Sequence, residues 1–417
     1  MIESGTYTEF SANLHNRVNS MQVPVNVTLE VTDRCPLDCV HCYNNLPMDD
    51  RAARAREMST ADIKRVMDEL VDLGCIWLLL SGGEIFARHD FLEIYTYAKT
   101  KGFLVTLFTN GTMITERIAD YLVEYPPFAI EITLYGATKE TYEALTGIPG
   151  SYEKCLRGIK LLIDRKLPLK LKTVAVSINV HELGMMQEIA ESLGLEFKFD
   201  AMMNPRIDCS QSPLAVRLSP AEIVALDLGD PTRVADYQRI ARDLVRPLPA
   251  EGELGTVYNC GGGVNSFAID PYGNMTICVL SHFDEYNVRD GSMREGWETF
   301  LRKVRAKKAT KITKCTRCAL TGFCGSCPAS SELEANDPEA PVDFLCQVAH
   351  LRAELFDITV PEHGECEYCV NGSHRDRIDE LAAQVREHRI VSTVSLPPVV
   401  ASSCSTASCS ACSSHAR

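Results

Sequence analysis

The sequence has no long apolar run. Its longest, Cys75-Ile-Trp-Leu-Leu-Leu80, falls far short of the roughly 20 residues that a membrane-spanning helix needs, so no membrane span is expected. The opening residues, MIESGTYTEF, contain neither a basic stretch nor an apolar one; no secretory signal is expected and the chain reads as cytoplasmic. Basic residues are in deficit, with 42 Lys and Arg against 56 Asp and Glu and a net charge of −14. Such a balance lacks the positive footprint that nucleic-acid binding requires. There is no internal repeat, and 45% hydrophobic with 24% charged residues excludes collagen-like, wholly disordered and porin-like chains. At 417 residues the chain has room for two or three domains and a large buried core.

What the sequence has in excess is cysteine, 18 residues, most of them in short clusters. In a large chain without an export signal, clustered cysteines point to metal or iron–sulfur ligation before disulfides. The clusters sit in a regular frame. Strands are expected at Val25–Glu30, Ile76–Leu80, Leu104–Phe108, Ala129–Leu134, Leu169–Val176 and Glu196–Ala201. Helical patterns separate them, at 60–73, 91–101, 116–123, 152–164 and 182–193. Ser59 with Asp62 forms a capping pair for the first of these, and Gly74 closes it. Six βα units in series imply a parallel sheet, either doubly wound or a full or partial barrel, with chemistry at the C-terminal ends of the strands.

Directly after the first strand stands Cys35-Pro-Leu-Asp-Cys39-Val-His-Cys42-Tyr43. Three thiolates at this spacing can hold three corners of a cubane and leave one iron without a protein ligand, whereas four would saturate it. A zinc site that recruits His41 is the other reading of the spacing. Ser81-Gly82-Gly83-Glu84 follows the second strand, Asn110 the third, Thr133 the fourth and Asn179 the fifth. Alone, each could be turn or capping chemistry.

Together, over 23–201, these features resemble the radical SAM superfamily, whose signature is CxxxCxxC followed by an aromatic residue, here Tyr43. The resemblance implies a partial (β/α)6 TIM-like barrel over 23–215. It also implies a [4Fe–4S] cluster on Cys35, Cys39 and Cys42 that binds S-adenosylmethionine through its open iron. Ser81, Gly82, Gly83 and Glu84 would form the family's GGE motif, which holds the methionine amino group. Tyr43, Asn110, Thr133 and Asn179 would line the cofactor site. Reductive cleavage of the cofactor would yield a 5′-deoxyadenosyl radical that abstracts hydrogen from a substrate.

A second set comprises Cys260, Cys278, Cys315-x2-Cys318-x5-Cys324-x2-Cys327 and Cys346, with a hairpin signal across Phe267–Cys278 whose turn is Pro271 to Asn274. Two zinc sites are the plainer reading of two CxxC hooks. The arrangement, with Gly273 four residues ahead of Cys278, resembles the SPASM extension, here 256–350 with a β-hairpin and helices. That resemblance implies two auxiliary [4Fe–4S] clusters, one on Cys260, Cys278 and Cys327, the other on Cys315, Cys318, Cys324 and Cys346. The first set has three members; either its iron is open or it borrows a thiolate such as Cys209. The hook before Cys327 has two intervening residues where the family often has three.

The remaining divisions are an N-terminal extension (1–22), a helical bridge (216–255), and a C-terminal helix with a Cys-rich tail (351–417). The tail's Cys404, Cys409 and Cys412 lie in Ser/Ala-rich sequence with no core to hold them, so a flexible tail, a thiol arm and a fused peptide substrate are all open readings. Cys75 and Cys155 read as buried apolar residues. Enzymes with this pair of domains resemble peptide and protein maturases, which implies an oxidative crosslinking enzyme with a peptide substrate. A small leader-peptide-binding protein would be a further partner, and a flavodoxin or ferredoxin the reductant. Val279 stands where sulfatase-type maturases place an aspartate, against formylglycine chemistry. The alternatives are a radical enzyme acting on a small molecule, as in haem biosynthesis, and a non-catalytic iron–sulfur or metal-binding protein.

Overall fold

The computed structural model describes residues 7–244, 254–316, 318–358 and 366–387. They fall into two units, one drawn from Met1–Ile207, Ser212–Val216 and Gly261–Arg305, the other from Asp208–Gln211, Arg217–Cys260 and Ala306–Arg417.

The first unit is built on one mixed sheet. Strands β1 (Asn26–Glu30), β2 (Trp77–Ser81), β3 (Leu104–Thr109), β4 (Ala129–Thr133), β5 (Leu169–Val174) and β6 (Glu196–Asp200) lie side by side in chain order, all parallel. A doubly wound sheet reverses its strand order at a switch point. This one never reverses, and it is the open, partial (β/α)6 barrel. Register explains the layering. Leu29, Leu80, Leu107, Ile130 and Leu169 pair in one row, and all are buried. Because side chains alternate along a strand, the next row falls on the opposite face and is largely polar: Glu30 pairs with Ser81, and Glu131 pairs with Phe108 on one side and Lys170 on the other. On that polar face Lys172 and Lys198 both pair with the buried Glu131 carboxylate, at 3.3 and 2.9 Å.

The crossover helices follow from their own signals. Helix α2 (Thr60–Asp72) starts in a complete capping box: Ser59 Oγ accepts from Asp62 N at 3.1 Å, and Asp62 Oδ2 accepts from Ser59 N at 3.0 Å. It ends before Gly74 at φ +88°. Ile63, Val66, Met67 and Leu70 form its buried stripe. Helix α1 (Tyr7–Met21) precedes the sheet and is absent from the sequence-based reading.

The hairpin of the second cysteine region, β7 (Ser266–Ile269) and β8 (Asn274–Thr276), belongs to this same sheet. Strand β7 pairs in parallel with β1, and β9 (Tyr286–Asn287) extends the edge beyond β8. Asp270 builds the turn: its carboxylate accepts from Tyr272 N and Asn274 N, both at 2.8 Å, and from Asn274 Nδ2 at 2.9 Å.

The second unit is helical, with α3 (Pro220–Leu228), α4 (Pro231–Leu244), α5 (Pro328–Ala335), α6 (Asp343–Leu355) and α7 (Arg375–Glu387). At its centre Arg352 on α6 binds Asp227 on α3 through two nitrogens, at 2.9 and 2.8 Å. Both side chains are buried, and Arg352 also donates to Phe323 O, so the pair is compensated by hydrogen bonds. No helix among the described residues is long and apolar enough to cross a membrane. The tail cysteines Cys404, Cys409 and Cys412 lie outside the described residues.

Candidate functional site

The parallel strands bring their C-terminal ends to one edge, and the sequence-predicted residues lie along it. The loop after β1 carries Cys35, Cys39 and Cys42. Its backbone is held from several sides. Asp38 N and Val40 N donate to Thr146 O and Leu145 O, Ile207 N donates to Tyr43 O, and Arg206 donates to Cys42 O and to Asn45. A buried ionic group secures the loop's start: Arg34 pairs with Glu57 at 2.8 Å, and Arg88 donates to Val31 O and Met58 O. Tyr43 donates to Glu30 Oε1 at 2.7 Å, and Asn44 donates to the same oxygen at 3.1 Å.

Cys35 and Cys39 are buried in an apolar cluster with Leu37, Leu145, Val176 and Met203, and Cys42 packs against it. Burial pushes the Cys35 thiol up to about 12 and raises Cys39 and Cys42 as well. Such thiols ionise on binding a cation. Asn110 Nδ2 reaches Cys35 Sγ at 3.4 Å and Leu37 N reaches it at 3.5 Å, the N–H···S contacts that tune iron–sulfur ligands. Among the described residues, no three of Cys35, Cys39, His41 and Cys42 bring ligand atoms within 4.8 Å of one another, as a single zinc ion would require. The donor set fits a three-thiolate cluster rather than a mononuclear site through His41.

In the segment after β2 the two glycines let the chain approach itself closely. A Cβ on Gly82 would lie 2.1 Å from Thr32 O, and one on Gly83 would lie 2.3 Å from Asp33 O. Gly83 N and Glu84 N donate to Thr32 O and Arg34 O, which ties this turn to the approach to Cys35. The Glu84 carboxylate is buried. It accepts from Thr109 Oγ1 at 2.8 and 2.9 Å, from Asn110 N at 2.8 Å and from Phe86 N at 3.2 Å. Burial lifts it to about 7 against these donors. It joins the ends of β2 and β3 and so positions Asn110 on Cys35.

Thr133 ends β4 and leads into Tyr135, which packs against the cluster that holds Cys35 and Cys39. The Asn179 amide is taken by its own loop and by the segment after β4: Oδ1 accepts from Val176 N, and Nδ2 donates to Val174 O and to Tyr135 O. Tyr135, Arg88, Glu57 and Arg206 escaped the sequence reading, because each acts through residues distant in the chain and carries no local signal.

In the second unit Cys315, Cys318, Cys324 and Cys346 come together. The Cys315 and Cys346 thiols influence one another electrostatically, and burial together with the neighbouring Cys318 and Cys346 thiols raises Cys324. The Cys318 N to Cys315 O turn closes one hook, and Ser326 N donates to Cys324 Sγ in the next. Cys327 caps α5, and Cys260 belongs to this unit too, while Cys278 belongs to the first. The Cys209 thiol meets Glu332 O. Cys75 and Cys155 are buried.

An open parallel barrel that carries a three-thiol loop at its C-terminal edge defines an enzyme of the iron–sulfur, S-adenosylmethionine class. The comparisons agree. Residues 29–193 match the Radical SAM superfamily, and the chain carries a domain of that superfamily. The AdoMet-dependent heme synthase of Methanosarcina barkeri is 27% identical over 302 residues, 68% of this chain and 85% of that protein. The mycofactocin maturase MftC of Mycobacterium tuberculosis is 28% identical over 296 residues, 68% of this chain and 73% of that protein. Among solved structures, Streptococcus suis SuiB bound to precursor peptide SuiA superposes with a TM-score of 0.60 at 16% identity, over 81% of this chain and 79% of that one. The shared fold therefore runs beyond the radical SAM segment.

Proposed function

We propose that this enzyme matures a ribosomally made peptide by oxidative crosslinking. The observation that carries the reading is the buried three-thiol loop at the barrel edge, in a chain whose relatives include the mycofactocin maturase and whose fold is that of SuiB. Cys35, Cys39 and Cys42 would hold a [4Fe–4S] cluster, and with S-adenosylmethionine bound there the site would supply radical hydrogen-abstraction chemistry toward the peptide. The chain's own residues do the positioning. Asn110 and Leu37 donate to Cys35 sulfur, Tyr135 packs against the thiol cluster, and Tyr43 braces the loop through Glu30. Backbone of Ser81, Gly82 and Gly83, with Thr133, lines the cofactor side, while Glu84 and Asn179 hold the strand ends in place.

Two auxiliary clusters complete the reading, on Cys315, Cys318, Cys324 and Cys346 and on Cys260, Cys278 and Cys327. A flavodoxin or ferredoxin supplies electrons, a small leader-binding protein presents the peptide, and the cytoplasm is the setting for such oxygen-labile groups.

A second reading has an observation of its own. The Methanosarcina heme synthase is covered over 85% of its length, which supports a small-molecule substrate. The two separate in one experiment. Anaerobically reconstituted protein is given dithionite and S-adenosylmethionine, with a candidate precursor peptide or a haem precursor. Release of 5′-deoxyadenosine with loss of two hydrogens from the peptide supports crosslinking; turnover with the haem precursor alone reverses the order. A Cys35/Cys39/Cys42→Ala variant is expected to release none.

A further inference from the structure

The cysteine pair Cys366-x2-Cys369 belongs to neither proposed cluster set, yet the fold gives it a third partner. His350 on α6 places Nε2 at 3.5 Å from Cys366 Sγ and at 3.5 Å from Cys369 Sγ. Among the described residues this is the one group whose three potential ligand atoms all lie within 4.8 Å of one another. We propose that His350, Cys366 and Cys369 bind a single zinc ion, separate from the iron–sulfur sites.

The geometry fits that ion. Zinc–sulfur bonds of about 2.3 Å and zinc–nitrogen bonds of about 2.0–2.1 Å at a tetrahedral angle put nitrogen and sulfur about 3.6 Å apart. The observed 3.5 Å separations match this edge. The imidazole is oriented for ligation, because its other nitrogen, Nδ1, lies 2.8 Å from Cys346 O, one helical turn back. A carbonyl accepts only, so Nδ1 carries the proton and Nε2 presents its lone pair to the two thiols. The donor set, one imidazole and two thiols, suits zinc, whereas oxygen-loving cations are poorly served.

The backbone around the pair is shaped as a knuckle. Cys369 N donates to Cys366 O, Gly372 N to Cys369 O, and His374 N to Glu367 O. A Cβ at Gly372 would lie 2.3 Å from Glu367 O, so only glycine fits, and Asn371 adopts φ +71°. Cys366 is 7% exposed and His350 4%, in a small core with Tyr368 and Ile378. A turn this tight with so little apolar support is what a metal ion stabilises in small hooks. The described residues supply three ligands of the four that a tetrahedral zinc ion takes. The ion would hold the 366–374 turn to α6 one turn after Cys346, and so brace a residue of the proposed second auxiliary cluster.

The test uses the full chain with its iron–sulfur content restored, titrated with zinc alone and, in parallel, cobalt(II) alone. About one zinc per chain beyond the iron is expected, and cobalt should give the thiolate charge-transfer and tetrahedral ligand-field bands. The Cys366→Ser/Cys369→Ser variant should lose the zinc and the cobalt bands while iron and sulfide stay unchanged, and His350→Gln should weaken zinc by at least about tenfold. Should a variant misfold, the wild-type chain decides: a zinc chelator should open Cys366 and Cys369 to alkylation without releasing iron. An iron-replete chain that takes up neither metal would overturn the proposal. So would alkylation of both thiols before chelation, or protection that ends only when iron is removed. The last result would assign the three residues to a cluster.

Discussion

At the scale of single residues, two buried polar groups near the thiol loop carry measurable consequences. The Asn110 amide donates to Cys35 sulfur, and a bond of about 1 kcal/mol to the reduced, more negative state corresponds to ~40 mV at 59 mV per tenfold. Asn110→Leu is therefore expected to lower the potential of the N-terminal cluster by that order, read by electron paramagnetic resonance titration. The other group is acidic. Burial raises both carboxyls, Glu30 to about 8 with the nearby Asp33 adding to the shift, and Asp33 to about 7 with Asp270 and Glu57 adding to it. The folded chain thus keeps protons that the unfolded chain has released from about pH 4 upward. Their stabilisation is complete below that point and is lost as pH rises toward 8, at about 1.4 kcal/mol for each pH unit between the unfolded and folded values. Thermal unfolding should occur at lower temperature at pH 8 than at pH 5, and Glu30→Gln, which keeps an acceptor for Tyr43, should flatten that slope. An equal slope in the variant would assign the effect elsewhere.

At the scale of elements, the turn after β2 is the most constrained stretch of the barrel edge. Gly82 has φ +131°, and its missing Cβ makes room for Thr32 O. Gly82→Ala should cost about 3–5 kcal/mol from the left-handed backbone and the overlap together. It should also displace the approach to Cys35, so that S-adenosylmethionine binding falls with stability. Gly102, at φ +88° with nothing within 4 Å of a built Cβ, is the control, and Gly102→Ala should cost only about 1–2 kcal/mol and leave binding alone. The elements are largely legible in the sequence because their signals are local: alternation in the strands, the Ser59–Asp62 box, the turn at Asp270. Legibility ends where a residue's partner lies far along the chain. Nothing near Glu84 says that its carboxylate accepts from Thr109, 25 residues further on. Likewise His350 is one histidine on a helix, and its cysteines lie 16 and 19 residues further on.

At the scale of the molecule, the chain leaves the first unit after Ile207, rejoins it briefly at Ser212–Val216 and comes back for Gly261–Arg305. The returning segment sets β7 alongside β1, the strand that leads into the thiol loop, with Asn26 to Leu29 matched to Ser266 to Ile269. A chain truncated after Leu254 would turn β1 from an interior strand into an unpaired edge, flat and apolar at Val27 and Leu29. It is expected to aggregate, as size-exclusion chromatography would show, because uncovered edges pair with one another. The same pairing fixes an order of events during synthesis. The segment that matches the superfamily is complete at residue 193, yet its sheet cannot close on the β1 side until residues past 269 have left the ribosome. At roughly 5–20 residues per second the nascent barrel waits several seconds with that edge exposed, an interval in which a chaperone, rather than the fold itself, keeps the first strand from other partners.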